Sequence, residues 1–171
     1  MSSPAQLLKK LVQIPIFQGL TVPEAAEFFE VALEQTIESG HTLFREGDEG
    51  DALYVILKGE VSITKKGIEL ATLSTHAVVG EMSLVSPGDT RSATATAKND
   101  VDVLKIPSRR VQKLIKGDHL AALKVVANLA QVMAQRLGAI NDRLVGDGKK
   151  KGEARKEELA DFAGILNRWS F

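Results

Sequence analysis

The sequence predicts an α+β fold: an antiparallel, jelly-roll-like β-roll, flanked by N-terminal helices and followed by a long C-terminal helix. Apolar residues recur at helical spacing near both ends of the chain, whereas over about residues 36–107 they alternate with polar residues. Glycine, aspartate and proline interrupt the alternating runs at nearly regular intervals, which is typical of antiparallel rolls and barrels. We therefore predict one domain over residues 1–145 and a separate C-terminal segment over 146–171.

Residues 5–35 predict two amphipathic helices. An apolar stripe made of Leu7, Leu8, Leu11 and Ile14 is interrupted by Pro15. Thr21 and Glu24 form a capping-box pattern, which predicts the start of the second helix. The side chains that this helix turns inward are Ala25, Phe28, Phe29 and Ala32.

The middle of the chain, about residues 36–107, predicts the strands of the roll. Alternating apolar residues occur over 52–57, 61–64, 68–71 and 101–104. Turn residues separate these runs at Gly40, Gly47-Asp48, Gly50-Asp51, Gly59, Lys66-Gly67 and Pro87-Gly88. Many short strands at nearly regular spacing indicate an antiparallel barrel or roll.

Residues 108–145 return to helical spacing, and we expect Asp118 to cap a long helix that reaches about Leu144. Apolar residues along this helix step alternately by three and four, which is a heptad seam. The seam consists of Leu123, Val126, Ala130, Met133, Leu137, Ile140 and Leu144. Two interpretations are open: the seam pairs with a second copy of the chain in a homodimer, or it packs on the roll.

The composition restricts the chemistry of the protein. Acidic and basic residues number 22 each, so bulk charge gives no attraction to nucleic acid or membranes. The chain has no cysteine, and its three histidines are scattered without the spacing of metal ligands. A nucleophile motif and a P-loop are also missing from the sequence. We therefore expect no metal and no enzymatic activity; an enzyme on a cupin-like roll would show a His-x-His cluster.

The first residues lack the basic region and long apolar run of a signal peptide. The longest apolar runs of the chain are also far shorter than a membrane span. We expect a cytoplasmic protein that has no contact with a membrane.

The segment of residues 80–94 gives the strongest indication of a binding site. Gly80 allows the backbone to approach a ligand closely, and the amides of Met82 and Ser83 open a short helical turn. The guanidinium of Arg91 matches phosphate oxygens, and Glu81 can accept hydrogen bonds from sugar hydroxyls. The segment therefore predicts a site for a sugar phosphate.

A second motif makes the prediction specific. Residues 47–61 read Gly-Asp-Glu-Gly-Asp-Ala-Leu-Tyr-Val-Ile-Leu-Lys-Gly-Glu-Val, ahead of Gly80-Glu81 and Arg91-Ser92-Ala93. In this order and spacing, the motifs resemble the cyclic-nucleotide-binding domain. That family includes catabolite activator proteins, regulatory subunits of protein kinases and cyclic-nucleotide-gated channels. The resemblance covers about residues 10–145.

The resemblance implies roles for the residues of segment 80–94. Glu81 corresponds to the glutamate that accepts a hydrogen bond from the ribose 2′-hydroxyl, and Arg91 to the arginine that pairs with the cyclic phosphate. The backbone around Gly80, Met82 and Ser83 corresponds to the phosphate cradle. The alternative is a mutual or surface ion pair of Arg91 and Glu81, in a domain that has lost its ligand.

The resemblance also implies contacts to the purine. Ser92 lies where a hydroxyl reaches the purine edge and in some members favours guanine. The alignment of the long helix puts Asn141 near the base, where its amide suits the adenine amino group and ring nitrogen. We expect cAMP as the bound ligand, with cGMP as the less favoured alternative.

The C-terminal segment differs from that of activator relatives, which continue into a DNA-binding domain. Only the 26 residues 146–171 follow the long helix, so we expect a stand-alone member that binds no operator DNA by itself. After a basic linker, apolar residues recur at helical spacing at Leu159, Phe162, Leu166 and Trp169. Three interpretations of this tail are open: docking on its own domain, binding of a partner, and disorder. The resemblance adds a separate option, in which Trp169 caps the bound base, as aromatic residues do in some family members.

The sequence therefore predicts a non-enzymatic receptor for cyclic nucleotides. Ligand binding would be transmitted through the C-terminal helix to an unknown protein partner or to a second copy of the chain. The alternative is an interaction scaffold that uses the same roll and binds no ligand.

Overall fold

The computed structural model describes residues 12–85 and 88–148. The chain divides into two compact units, of which one ends at Ala130 and the other begins at Gln131. The predicted boundary at residues 145 and 146 stays a prediction. Several predicted features lie outside the described residues: Leu7, Leu8, Leu11, Pro87, and the tail with Leu159, Phe162, Leu166 and Trp169.

The N-terminal part of the first unit contains a 3₁₀ turn at Pro15–Phe17 and helix α1 at Val22–Val31. The predicted capping box is confirmed: the Thr21 N–H donates to Glu24 Oε2 at 2.7 Å, and the Glu24 N–H donates to Thr21 Oγ1 at 3.4 Å. As predicted, Ile14, Ala25 and Phe28 are buried. Ala32 is half-buried, and the side chain of Phe29 lies outside the description.

In residues 12–85 and 88–148, eight strands form two antiparallel four-stranded sheets, which confirms the predicted roll. The strands are β1 (Leu33–Ile37), β2 (Thr42–Phe44), β3 (Ala52–Lys58), β4 (Val61–Lys65), β5 (Ile68–Leu73), β6 (Val78–Val79), β7 (Thr94–Ala97) and β8 (Val101–Pro107). One sheet has the order β1-β8-β3-β6 and the other the order β2-β7-β4-β5. The polypeptide thus passes from one sheet to the other several times, which brings residues distant in sequence together.

The core lies between the two sheets and contains apolar residues from both. Alternate residues of β3, namely Ala52, Tyr54 and Ile56, pack with Ala95 and Ala97 of β7. The intervening residues of β3 are fully buried as well, because helices α2 (Met82–Val85) and α3 (Ser108–Lys116) contact this strand. Strand β3 is therefore enclosed on both faces, next to the segment of residues 80–94.

Helix α4 extends over Leu120–Gly148, so the predicted cap at Asp118 is wrong. Asp118 has φ +54° and donates its amide to the Ile115 carbonyl, which ends α3 instead of starting α4. The first carbonyl acceptor of the long helix belongs to His119. A short polar side chain tolerates the left-handed conformation after a helix and can also accept from the first amides of a helix, which is why aspartate suits both positions.

The heptad seam does not supply the buried side of α4 within the first unit. The buried residues are Ala121, Ala122, Val125 and Leu129, whereas Leu123 is 47% exposed. Of the other seam residues in this unit, Val126 is half-buried and Ala130 is exposed. Both sets of residues step by three and four, so their spacing alone could not distinguish them. The interpretation that the seam packs on the roll is thus wrong for Leu123 and Ala130, which are exposed.

Polar contacts join the start of α4 to the N-terminal segment. Lys124 Nζ lies 2.8 and 2.9 Å from the two carboxylate oxygens of Glu24 and donates to the Gly19 carbonyl. Asn128, one turn later, donates to the carbonyls of Ile16 and Gln18. The hydrogen bond from Lys124, supported by the Thr21 amide, lowers the pKa of Glu24 from 4.5 to about 2.

We expect Lys124→Met to remove a pH-dependent part of the stability. Because the pKa of Glu24 is lowered on folding, this contribution is complete above pH 4.5 and is lost as the pH falls toward 2. Urea unfolding of the wild type and the variant should therefore show a difference that shrinks over this range. The exposed Lys113 on α3 supplies a control, since Lys113→Met should give a difference that stays constant with pH; a constant difference for Lys124→Met would contradict the prediction.

Candidate ligand-binding site

Backbone hydrogen bonds join the two sequence motifs, residues 47–61 and residues 80–94. The Arg91 N–H donates to the Asp48 carbonyl at 2.7 Å, and the Arg91 carbonyl accepts from the Gly47 N–H at 2.9 Å. The Gly50 N–H likewise donates to the Asp89 carbonyl at 3.1 Å. The turn residues that precede β3 therefore hold the backbone of Arg91 just before β7.

The Arg91 side chain is buried and largely saturated with hydrogen bonds; the residue is only 5% exposed. Its Nη2 donates to the Ala52 carbonyl at 2.7 Å and to Asp51 Oδ1 at 3.0 Å, and its Nη1 donates to the Gly80 carbonyl at 3.2 Å. Its Nε is buried and has no hydrogen-bond partner. A buried donor without a partner costs about 1–3 kcal/mol, so this nitrogen favours an acceptor such as a phosphate oxygen.

Aromatic rings cover the guanidinium. The Arg91 Cζ lies 4.2 Å from the ring centroid of Phe44 on β2 and 6.0 Å from that of Tyr54 on β3. These cation–π contacts favour the charged group in a site that excludes water. The sequence analysis missed Phe44, because an aromatic residue in a short strand predicts only a core position.

Asp51 bridges two basic side chains, for its second oxygen, Oδ2, accepts from Lys105 Nζ at 2.8 Å. Partial burial raises the pKa of the Asp51 carboxyl, but the hydrogen bond and charge of Lys105, with the charge of Arg91, outweigh burial and lower it below 3.8. Burial lowers the pKa of Lys105, but the hydrogen bond and charge of Asp51, together with Tyr54, outweigh this effect and raise it above 10.5. At neutral pH the cluster of Arg91, Asp51 and Lys105 thus has one positive charge in excess, which suits an anion.

Gly80 lies directly against this cluster. Its φ is +76°, and a Cβ atom at this position would lie 2.5 Å from Arg91 Nη1 and 3.1 Å from the Ala52 carbonyl oxygen. The predicted close approach of a ligand to Gly80 stays a prediction, and the group that lies against Gly80 in the structure is the guanidinium of Arg91. Only glycine fits both the conformation and the space.

Ser83 lies in the short helix α2 and is buried. Its N–H and its Oγ both donate to the Gly80 carbonyl, at 3.2 and 2.8 Å. The contacts of the amides of Met82 and Ser83 with a ligand stay predictions. In the structure the Ser83 amide belongs to the turn that begins at Gly80.

The remaining predicted residues occupy different places. Glu81 follows Gly80 and is half-buried, and Ser92 follows Arg91 and is exposed. Asn141 is exposed on α4, in the second unit. Their contacts with a nucleotide stay predictions, while the partner that the structure gives to Arg91 is Asp51.

Two further properties concern the part of the chain that the structure describes. None of its helices combines the length and apolar character needed to span a membrane. Within residues 12–85 and 88–148, His, Asp and Glu side chains also form no group of three or more that could hold a metal ion.

Together, the roll and the buried guanidinium define a domain in which the two sequence motifs meet around Arg91. Residues 34–118 match the family model of the cyclic nucleotide-binding domain. The chain belongs to the cyclic nucleotide-binding domain family, which confirms the resemblance.

Two similar proteins contain the matching region as part of a longer chain. The chain is 32% identical to the cyclic AMP receptor protein of Thermus thermophilus, over 72% of the chain and 57% of that protein. It is 31% identical to glutaminase 1 of Bradyrhizobium diazoefficiens, over 79% of the chain but only 22% of that protein. The chain thus spans less than two thirds of either relative.

A solved structure of similar fold is a cyclic nucleotide-binding domain from Methylobacillus flagellatus. It is 26% identical, covers 86% of both chains and superimposes with a TM-score of 0.76. This agreement over most of the chain supports the roll and its flanking helices as the common architecture.

Proposed function

We propose that this protein is a receptor for cyclic nucleotides, with cAMP favoured over cGMP, and that the cyclic phosphate binds to Arg91. One observation carries the proposal: Arg91 Nε is a buried donor without a partner, on a guanidinium that the protein holds rigidly. A phosphate oxygen would supply the missing acceptor.

The surroundings of Arg91 support a singly charged anion. The excess positive charge of the cluster of Arg91, Asp51 and Lys105 matches the single negative charge of a cyclic phosphodiester. Because protein acceptors already orient both Nη atoms, ligand binding need not order this side chain. Preorganisation of this kind favours binding of a small ligand.

The rest of the nucleotide is assigned to Glu81 and Ser92, which follow Gly80 and Arg91 in sequence, and to Asn141. Glu81 would accept from the ribose 2′-hydroxyl. Ser92 permits guanine, whereas the amide of Asn141 suits adenine, and a relative of this chain is a cyclic AMP receptor protein. We therefore favour cAMP. The proposed receptor is not an enzyme, since the proposal requires no change in the nucleotide.

Calorimetric titration of the whole chain tests the function. We expect heat of binding with cAMP, weaker binding with cGMP, and little with 5′-AMP, whose phosphate is open and more highly charged. Binding of 2′-deoxy-cAMP should be weaker than that of cAMP if Glu81 holds the ribose. Absence of heat with both cyclic nucleotides would contradict the proposal and favour the ligand-independent scaffold.

We further propose that α4 carries the signal and pairs with a second copy of the chain through the heptad seam. Three large seam residues are exposed: Leu123 by 47%, Leu137 by 40% and Ile140 by 43%. A row of such residues at heptad spacing suits a second helix with the same pattern. The protein partner, the cytoplasmic location and the role of the tail stay predictions.

Leu137→Asp should therefore convert a dimer into a monomer, because a charge within an apolar seam opposes helix pairing. Light scattering after size exclusion measures the mass directly. Ala139 is exposed on the same helix but outside the seam, so Ala139→Asp should leave the mass unchanged. An unchanged mass for Leu137→Asp, or a monomeric wild type, would refute this interface.

A further inference from the structure

Ser108, the first residue of α3, is linked to Arg91 through its hydroxyl. Ser108 Oγ donates to Ser83 Oγ at 2.7 Å, and Ser83 Oγ donates to the Gly80 carbonyl at 2.8 Å. The same carbonyl accepts from Arg91 Nη1 at 3.2 Å. Two hydroxyls and one carbonyl thus connect the start of a helix with the guanidinium.

The backbone of Ser108 provides a second link to the same guanidinium. The Ser108 N–H donates to the Asp51 carbonyl at 2.9 Å, and Asp51 Oδ1 accepts from Arg91 Nη2 at 3.0 Å. The two links close a ring of five residues, which we call the Ser108 ring. Its members are Ser108, Ser83, Gly80, Arg91 and Asp51.

Three side chains of the Ser108 ring are almost inaccessible to water. Ser83 is 2% exposed, Ser108 4% and Arg91 5%. Solvent therefore cannot easily replace a hydrogen bond that is lost within the ring.

The Gly80 carbonyl is the point at which the bonds of the Ser108 ring interact. It accepts from Arg91 Nη1, from the Ser83 N–H and from Ser83 Oγ. The two bonds from Ser83 hold this carbonyl in the direction in which it meets Arg91 Nη1. Loss of the Ser83 Oγ bond, or of the Ser108 hydroxyl that orients Ser83 Oγ, should therefore loosen the bond to Arg91.

We propose that Ser108 is a positioning residue: through Ser83 and Gly80 it orients Arg91, and it links occupation of Arg91 by an anion to the first turn of α3. The second half of this proposal rests on the proposed function, whereas the first half concerns the protein alone. Because coupling between sites is reciprocal, a group that orients Arg91 also responds to its ligand.

The first experiment needs no ligand. NMR measures the exchange with water of the buried Arg91 Nε–H in the wild type, Ser108→Ala, Ser83→Ala and the double variant. Each single change should accelerate exchange about three- to tenfold, as expected for the loss of one hydrogen bond. Because the two hydroxyls act in series, the double variant should exchange no faster than the faster single variant.

Ser62 provides a matched control, since it is a buried serine on β4 outside the Ser108 ring. Ser62→Ala should leave the exchange of Arg91 unchanged. The positioning role would be overturned if Arg91 Nε–H exchanged at the wild-type rate in Ser108→Ala. It would also be overturned if the effects of the two serine substitutions on this rate simply added. These outcomes do not depend on whether the protein binds a nucleotide.

The second experiment titrates the same four proteins and the control Ser62→Ala with cAMP. We expect Ser108→Ala to weaken binding about three- to tenfold and Ser62→Ala to leave it unchanged. The backbone N–H of Ser108 should respond to cAMP in the wild type and less in Ser83→Ala. If the wild type binds no cyclic nucleotide, the proposed function is refuted. The exchange rate of Arg91 Nε–H still decides the positioning role in that case. Wild-type affinity in Ser108→Ala overturns the link to the ligand.

Discussion

Arg91→Lys is expected to weaken cyclic nucleotide binding by at least about 100-fold while leaving the roll folded. A lysine keeps the charge but provides one compact donor group in place of the planar guanidinium. It cannot contact the Gly80 and Ala52 carbonyls, Asp51 and a phosphate together. A hydrogen bond to a charged group contributes about 1.5–3 kcal/mol, so the loss of two such bonds accounts for this factor.

Calorimetry with cAMP measures the change, and far-UV circular dichroism shows whether the strands persist. Arg109 is a suitable control, because it is an exposed arginine on α3. Arg109→Lys should leave the affinity unchanged. If Arg91→Lys binds within threefold of the wild type, the phosphate does not bind to Arg91, and the site is assigned wrongly.

Gly80→Ala is expected to lower both stability and binding. The left-handed conformation at φ +76° costs a residue with a Cβ atom about 1–2 kcal/mol. In addition, the new methyl group would lie 2.5 Å from Arg91 Nη1, so the guanidinium must move. Overpacking of this kind adds about 1–3 kcal/mol. Binding should fall about as far as in Arg91→Lys, because the same donor group is displaced.

Gly40→Ala separates the two causes. Gly40 has φ +81°, but a Cβ atom there would meet nothing within 4 Å. Gly40→Ala should therefore lose only the stability that the left-handed conformation costs, without a loss of affinity for cAMP. Urea unfolding and cAMP titration of both variants measure the difference. Equal stabilities and equal affinities of the two variants would show that the contact between Gly80 and Arg91 has no consequence.

The local part of the site was predictable because its residues are close in sequence. Gly80 and Arg91 stand on one short segment, and their residue types alone indicate a close approach and a phosphate. Asp51 was predicted only as a turn residue, and Phe44 and Lys105 were not predicted at all. Their contacts with the Arg91 cluster join parts of the chain up to 54 residues apart. No local pattern encodes such pairs.

Helix α4 shows a second reason why the sequence did not predict all contacts. Two apolar stripes lie side by side on this helix, and both have the spacing of a packing face. The structure buries Val125 and Leu129, while Leu123 stays exposed. Periodicity shows that a helix has an apolar side, but only its neighbours determine which of two adjacent stripes they cover.

The sequence by itself determined the class of fold, the capping box at Thr21 and Glu24, and the family, because each depends on residue types at short spacing. Only the tertiary structure decided that Arg91 is held by Asp51 and covered by Phe44, and that the hydroxyl of Ser108 reaches it through Ser83. The physical reason is that the polypeptide passes several times from one sheet to the other. These crossings bring distant segments into contact around one buried charge, and a buried charge needs partners from whichever segments lie next to it.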